Sequence, residues 1–265
     1  MKNISIYILV FLLCGITPVI AQETANIIED KPEYRFALGV QLGTDIGGAV
    51  PFPFKYVPKT FNPYPKLDMS LGAKLTFPVT GQWTLGAELT YKTITLNADA
   101  RVENQRFEDN NYIQYFTGSA KMHMDFTMLE IPVYGKYTFR NNKDRVLFGP
   151  YFAWVMSSSF VIEPKKGFIG NSGPDIVDAV MPEDMDDMDF SSSLDSWDMG
   201  ILLGYERQLF PRVELGLRVS CGFKDIFKRN NQYFDYRMLH MRGSVVLSYN
   251  LFNIKSPKLL KFAKK

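Results

Sequence analysis

The stretch "LEIPVYGKYTF", Leu129 to Phe139, alternates with period two over a length unusual for the edge of a hairpin. Leu129, Ile131, Val133, Tyr137 and Phe139 share one parity, and Glu130, Tyr134, Lys136 and Thr138 share the other. Successive strand side chains point to opposite faces. One face is therefore too apolar to leave in water, and the other places a carboxylate and an ammonium in a run that otherwise reads as buried. What stands on each side of this strand decides the fold.

The chain begins "MKNISIYILVFLLCGITPVIAQE". Lys2, the apolar run Ile4 to Leu13, Pro18 and the small-residue ending Val19-Ile20-Ala21 read as a secretory signal peptide (1–21) cut between Ala21 and Gln22. The apolar run is short for an uncleaved anchor. Leu13 is too large for a lipobox at Cys14. About 244 residues remain, led by a short periplasmic segment (22–33). Their charge is nearly balanced, so the total points to no nucleic-acid partner. Cys221 is the one cysteine left, which excludes an internal disulfide in an exported protein. No mature segment reaches the ~18 apolar residues of a spanning helix. Two classes survive: a soluble periplasmic β-protein, or a barrel in the bacterial outer membrane.

Eight segments alternate with period two, near 34–48, 67–78, 82–98, 121–140, 145–162, 196–210, 212–226 and 236–252. The connections Val79-Thr80-Gly81, Asn141 to Asp144 and Pro211 are short. Those at 49–66, 99–120, 163–195 and 227–235 are long. Short and long alternate strictly, as expected of an up-and-down transmembrane barrel with tight periplasmic turns and four long outer loops. The expected fold is all-β, an eight-stranded antiparallel barrel over 34–252, followed by a basic tail (253–265).

The motif apolar-Gly-apolar-polar-apolar recurs at Leu38–Leu42, Leu71–Leu75, Leu85–Leu89 and Leu215–Val219, with glycine always on the polar parity. A narrow eight-strand lumen is filled by side chains, and glycine there makes room for long charged neighbours. Phe77, Trp83, Tyr137, Phe139, Tyr205, Phe210 and Tyr249 sit near the short turns and are expected in the periplasmic girdle. Tyr91, Trp154, Trp197, Phe223 and Tyr236 are expected in the outer one. A 25 Å apolar band takes about ten tilted residues per strand, and several segments overshoot it. In the fifth segment, Gly149 and Pro150 leave the facing undecided.

These features together resemble the outer-membrane β-barrel domain of Bacteroidota "porin family" or PorT-like proteins. In that family the fourth strand carries Leu-Glu-Ile-Pro followed by apolar residues and Lys-Tyr, matched here by Leu129, Glu130, Ile131, Pro132, Lys136 and Tyr137. The resemblance covers roughly 34–252. It implies a fold and a location but no activity. One branch of the family resembles a component of type IX protein secretion, and nothing in this sequence singles out that branch.

The inward parity is expected to carry Arg35, Asp68, Lys74, Glu88, Lys92, Glu130, Lys136, Asp198, Glu206, Glu214, Arg218 and Arg242, with His240 beside them. Positive and negative charges are equal in number, which fits a salt-bridged plug better than a selective pore, where one sign is expected to dominate. Ser119, His123 and Asp125 suggest an outer-membrane lipid-modifying enzyme as the alternative, since a general base must reach its nucleophile. The loop "PEDMDDMDF" offers Glu183, Asp184, Asp186, Asp187 and Asp189 for partner contact. Oxygen clusters can hold Ca²⁺, but this one lacks the glycine and distal glutamate of an EF-hand, so no metal site is assigned. Met181, Met185, Met188 and Phe190 are unusual neighbours for a purely solvated loop. The tail "NIKSPKLLKFAKK" interleaves lysines with Leu259, Leu260 and Phe262, a pattern suited to an anionic membrane surface. No phosphate loop, nucleotide fingerprint or cofactor motif is present. The expected partners are outer-membrane lipid and lipopolysaccharide, the barrel-assembly machinery and an envelope or secretion partner protein. The expected role is non-enzymatic: envelope structure or docking through the outer loops.

Overall fold

The computed structural model describes residues 35–57, 60–109, 112–170, 187–228, 234 and 236–255. The segments read as leader (1–21) and lead (22–33) lie outside them, as do residues 256–265 of the tail.

Eight long strands run antiparallel: β1 (Arg35–Phe52), β2 (Asp68–Pro78), β3 (Trp83–Asp109), β4 (Tyr112–Thr138), β5 (Asp144–Gly170), β6 (Trp197–Phe210), β7 (Val213–Asp225) and β8 (Arg237–Lys255). Each pairs with its neighbours in sequence, and β8 closes on β1 from Arg35↔Lys255 to Phe52↔Arg237. The result is an up-and-down ring of eight. Two short strands are added outside it: Thr60–Pro65 on the outer part of β3, and Met188–Asp189 on β5.

Local chemistry explains the tight ends. In the β4–β5 turn, the Asn141 side-chain oxygen accepts the backbone N–H groups of Lys143 (3.1 Å) and Asp144 (3.0 Å), an Asx arrangement. Asn142 takes the left-handed conformation, φ 56°, which asparagine tolerates better than most residues. In the β2–β3 turn, Thr80 Oγ1 accepts the Trp83 N–H at 3.1 Å.

The outward parity is apolar and exposed in every strand: for example Leu42, Leu71, Leu89, Val133, Phe152, Leu203, Leu217 and Leu247. The inward parity buries Gln41, Lys74, Glu88, Glu130, Lys136, Glu206, Arg218 and Ser248. This is the reverse of a soluble protein and the arrangement a hydrocarbon surround requires. At the turn end Trp83, Phe139, Phe210 and Tyr249 are exposed, while Phe77, Tyr137 and Tyr205 are half-buried. At the other end Tyr91, Trp154, Trp197 and Phe223 are exposed. Tyr236 departs from the expected girdle. It stacks on Phe234 at 5.3 Å and packs against the apolar core, because the chain entering β8 folds over the barrel mouth.

The largest departure from expectation is strand length. Residues 99–120 read as a long loop because their alternation fades. Instead β3 and β4 stay paired to Asp109↔Tyr112, and each of β3, β4 and β5 is 27 residues long. With about ten residues needed to cross the apolar band, roughly 17 remain in each, on the order of 40 Å of height beyond the membrane. There the outward face no longer meets lipid, so nothing selects apolar residues on it.

The fifth strand's facing is also decided. Leu147, Gly149, Tyr151, Ala153 and Val155 point inward, then Phe160 does. The register against β4 shifts between Thr127 and Met128, with Thr127 opposite Ser157 and Met128 opposite Val155. Met156 is the extra residue of a bulge, which exchanges the faces that follow as far as a second register shift at Lys165. Gly149 and Pro150 do not interrupt the alternation.

A charged lumen beneath an aromatic cap

The interior has two storeys. Nearest the short turns, Glu206 from β6 sits among three cations: Lys136 from β4 at 2.5 Å, Arg218 from β7 at 2.8 Å and Lys74 from β2 at 3.2 Å. Lys74 also pairs with Glu214 at 2.8 Å, and Arg145 donates to the same carboxylate. Arg218 spans Glu88 with two bonds of 2.6 and 2.9 Å, the bidentate geometry suited to guanidinium. The Tyr134 hydroxyl donates to Glu88, and Gln41 donates to Glu88 at 2.9 Å and Thr90 at 2.8 Å.

Above this, Lys92 bridges Asp45 and Glu130, each at 3.0 Å, and Arg242 pairs with Glu130 at 2.7 Å. The Ser244 hydroxyl donates to Asp45. Tyr151 donates to Asp198 at 2.7 Å and carries the Arg242 guanidinium 4.9 Å from its ring centre. Charges this deeply buried are tolerable only when paired and hydrogen-bonded.

One of the candidate residues stands apart from this network, and the side chain of another is not described. Asp68 does not point into it. Its carboxylate accepts the backbone N–H of Thr95 at 2.5 Å and braces the rim where β2 starts. The Arg35 side chain lies outside the described residues, although its backbone pairs with Lys255. Conversely, the sequence reading left out Asp45, Arg145, Tyr134, Tyr151 and Gln41. Asp45 and Gln41 share the inward parity of β1 and could have been found from it. Arg145 was hidden by the undecided facing of β5.

The repeated glycines serve close packing. A Cβ on Gly86 would lie 2.3 Å from the Tyr134 ring, and one on Gly216 would lie 3.2 Å from Glu206 Cγ.

The outer storey is apolar, which the charge pattern did not foretell. Ile94, Leu96, Met124, Phe126, Val155 and Phe160 line it. A cap of Phe190, Phe227 and Phe234 closes it over Phe160, with ring centres 5.5 to 6.5 Å apart. The cap is laced to the wall by Phe190 N–H to Phe160 carbonyl (2.9 Å), and its two segments are joined by Lys228 N–H to Ser193 carbonyl (2.9 Å). His240 belongs to this storey. It is buried and edge-on to Phe126 at 4.7 Å, and it forms no ion pair among the described residues.

Of the acidic loop, Glu183, Asp184 and Asp186 lie outside the described residues. Asp187 is exposed. Asp189 accepts the Ser191 N–H at 2.8 Å, and Ser191's hydrogen bonds hold its carboxyl below the usual carboxylate range. Met188 packs against the core and Phe190 is in the cap, which explains their place in an acidic run. The Ser119–His123–Asp125 set is not assembled. Four residues of strand separate Ser119 from His123, about 13 Å. The His123 ring instead meets Asn97 (3.0 Å) and Glu163 (3.5 Å) on the outward face.

A family model described as "Outer membrane protein beta-barrel domain" matches residues 20–228. The chain belongs to this family. Neisserial surface protein A (NspA) is 10% identical, with 82% of this chain and 97% of that chain covered at a TM-score of 0.34. Ail, the attachment invasion locus protein of Yersinia pestis, is 8% identical over 83% of this chain and 100% of that chain, TM-score 0.36. OprG from Pseudomonas aeruginosa is 12% identical over 82% and 96%, TM-score 0.28. No curated protein matches the sequence. Membership places this outer-membrane barrel in the bacterial outer membrane, with its short turns periplasmic and its long strands outside.

Proposed function

We propose that this outer-membrane barrel neither conducts nor catalyses, and that it serves as a rigid scaffold whose projecting strands dock a partner or ligand outside the cell. One observation carries the reading: the interior is occupied on both storeys, by cross-paired charges below and by the aromatic cap above, while β3, β4 and β5 continue far beyond the membrane. Both signs of charge are present within hydrogen-bonding reach of each other, whereas a selective pore would be lined by an excess of one. The enzymatic alternative needs Ser119 within reach of His123, and strand geometry keeps them apart. On the match of Leu129, Glu130, Ile131, Pro132, Lys136 and Tyr137 we assign the chain to the Bacteroidota porin-family, PorT-like group. We also assign it export by a leader cut after Ala21 and insertion by the barrel-assembly machinery. Planar-bilayer recording of the purified barrel tests the central claim: a silent membrane is expected, and stable conductance steps would overturn the plug. Cross-linked cells carrying a barrel shortened at the β3–β4 arm should lose a partner that the full barrel retains.

A further inference from the structure

At the top of the charged storey, Lys92 Nζ lies 3.0 Å from Asp45 Oδ1 and 3.0 Å from Glu130 Oε1. The three side chains come from β3, β1 and β4, and none is more than 5% exposed. The next inward residues above them, Ile94 on β3 and Met128 on β4, already belong to the apolar storey. Asp45 differs from the other carboxylates that meet a lysine. Glu130, Glu206 and Glu214 are each also clamped by an arginine: Arg242, Arg218 and Arg145. Asp45 has Lys92 as its sole cation among the described residues. Its two oxygens are also unlike. Oδ1 accepts the Ser244 hydroxyl as well as Lys92, whereas Oδ2 is buried and takes no hydrogen bond of normal geometry among the described residues.

We propose that Lys92 and Asp45 condense into an amide, an isopeptide bond within the barrel wall, with Glu130 as the proton carrier. Glu130 stands within the reach a general base needs. It carries one proton of the Lys92 ammonium to Asp45 Oδ2. Nζ then attacks Asp45 Cγ, and negative charge gathers on Oδ1, where Ser244 donates. A second proton passes from Nζ to Oδ2, the Cγ–Oδ2 bond breaks, and Oδ2 leaves as water. The third proton stays on the new amide, and Glu130 ends as it began. An ammonium and a carboxylate thus become an amide and one water, with no other reactant consumed. In water the hydration of both ions opposes this condensation. In the closed lumen that hydration is gone, so removing two buried charges favours the neutral product. Folding also holds amine and carboxyl in contact, which makes the step unimolecular. The leaving oxygen is the one that nothing pins, which singles out Asp45 from the arginine-clamped glutamates. The link would tie β1 to β3 across β2, beside the β1–β8 closure.

Peptide mass mapping of the full chain tests this. The chain is unfolded in urea, refolded into vesicles, checked for folding by SDS mobility, and then denatured and digested with trypsin at successive times. Asp45 falls in the peptide Phe36–Lys55. Acylated Lys92 resists cleavage, so its peptide becomes Leu75–Arg101. The folded wild-type chain should yield these two peptides joined, lighter than their sum by one water. The urea-unfolded chain and folded Lys92→Arg should yield none of the joined species. Glu130→Gln should form it about a hundredfold more slowly or less, the share of a proton carrier. Only separate peptides from the folded wild-type barrel would overturn the proposal, whether or not the variants fold. A joined species formed equally fast in folded Glu130→Gln would overturn the role given to Glu130.

Discussion

Replacing Glu206 by glutamine removes one negative charge at the point where three cations converge. Glu206 is 1% exposed, so no water can take over its role. The consequence differs for each partner. Arg218 keeps its two bonds to Glu88, and Lys74 keeps Glu214 at 2.8 Å. Lys136 is left with only Glu214 at 3.6 Å. A buried ion stripped of its partner costs about 3–5 kcal/mol, whereas an exposed pair contributes about 0–1 kcal/mol. The expected loss for Glu206→Gln is thus about 3–5 kcal/mol, roughly two to four powers of ten in the folded ratio. Urea unfolding in lipid vesicles, followed by tryptophan emission and by SDS mobility, measures it. Lys136→Met in the Glu206→Gln background should recover much of the loss, because the orphan is gone and the volume is kept. A loss below about 1 kcal/mol, or a double variant whose loss is simply additive, would refute the claim that the lumen is held by buried, mutually dependent pairs.

Other outcomes follow from the same geometry. Leu217→Arg on the lipid face near mid-membrane should cost about 2–4 kcal/mol in vesicle unfolding, although Arg218 next to it is required. Gly86→Val should cost about 1–3 kcal/mol by overpacking against Tyr134, and Tyr134→Leu should relieve most of that in the same unfolding assay. Phe190→Ala should cost about 3–5 kcal/mol by opening the cap, yet remain silent in planar bilayers because the charged storey still closes the lumen. His123→Ala should shift the urea midpoint by no more than an exposed pair accounts for, about 0–1 kcal/mol.

The barrel was legible wherever lipid lies on one side of a strand and the lumen on the other. Leu129 and Glu130 could not share a face, and the turns at Thr80 and Asn141 carry their own local chemistry. Above the membrane that contrast ends. Residues 99–120 therefore lost their strand signature although backbone pairing continues. The bulge at Met156 was invisible for a related reason: one extra residue leaves composition unchanged while exchanging the faces next along the strand.

Alternation alone determined which parity of "LEIPVYGKYTF" meets lipid, because hydrocarbon tolerates no charge on that face at any register. Only the closed ring decided that Lys136 meets Glu206 and Glu130 meets Lys92 and Arg242. Those partners lie on strands far apart in sequence, brought together by register and lumen width. The apolar outer storey likewise needed the tertiary structure. Its cap of Phe190, Phe227 and Phe234 comes from connections that show no periodicity until they fold over the mouth.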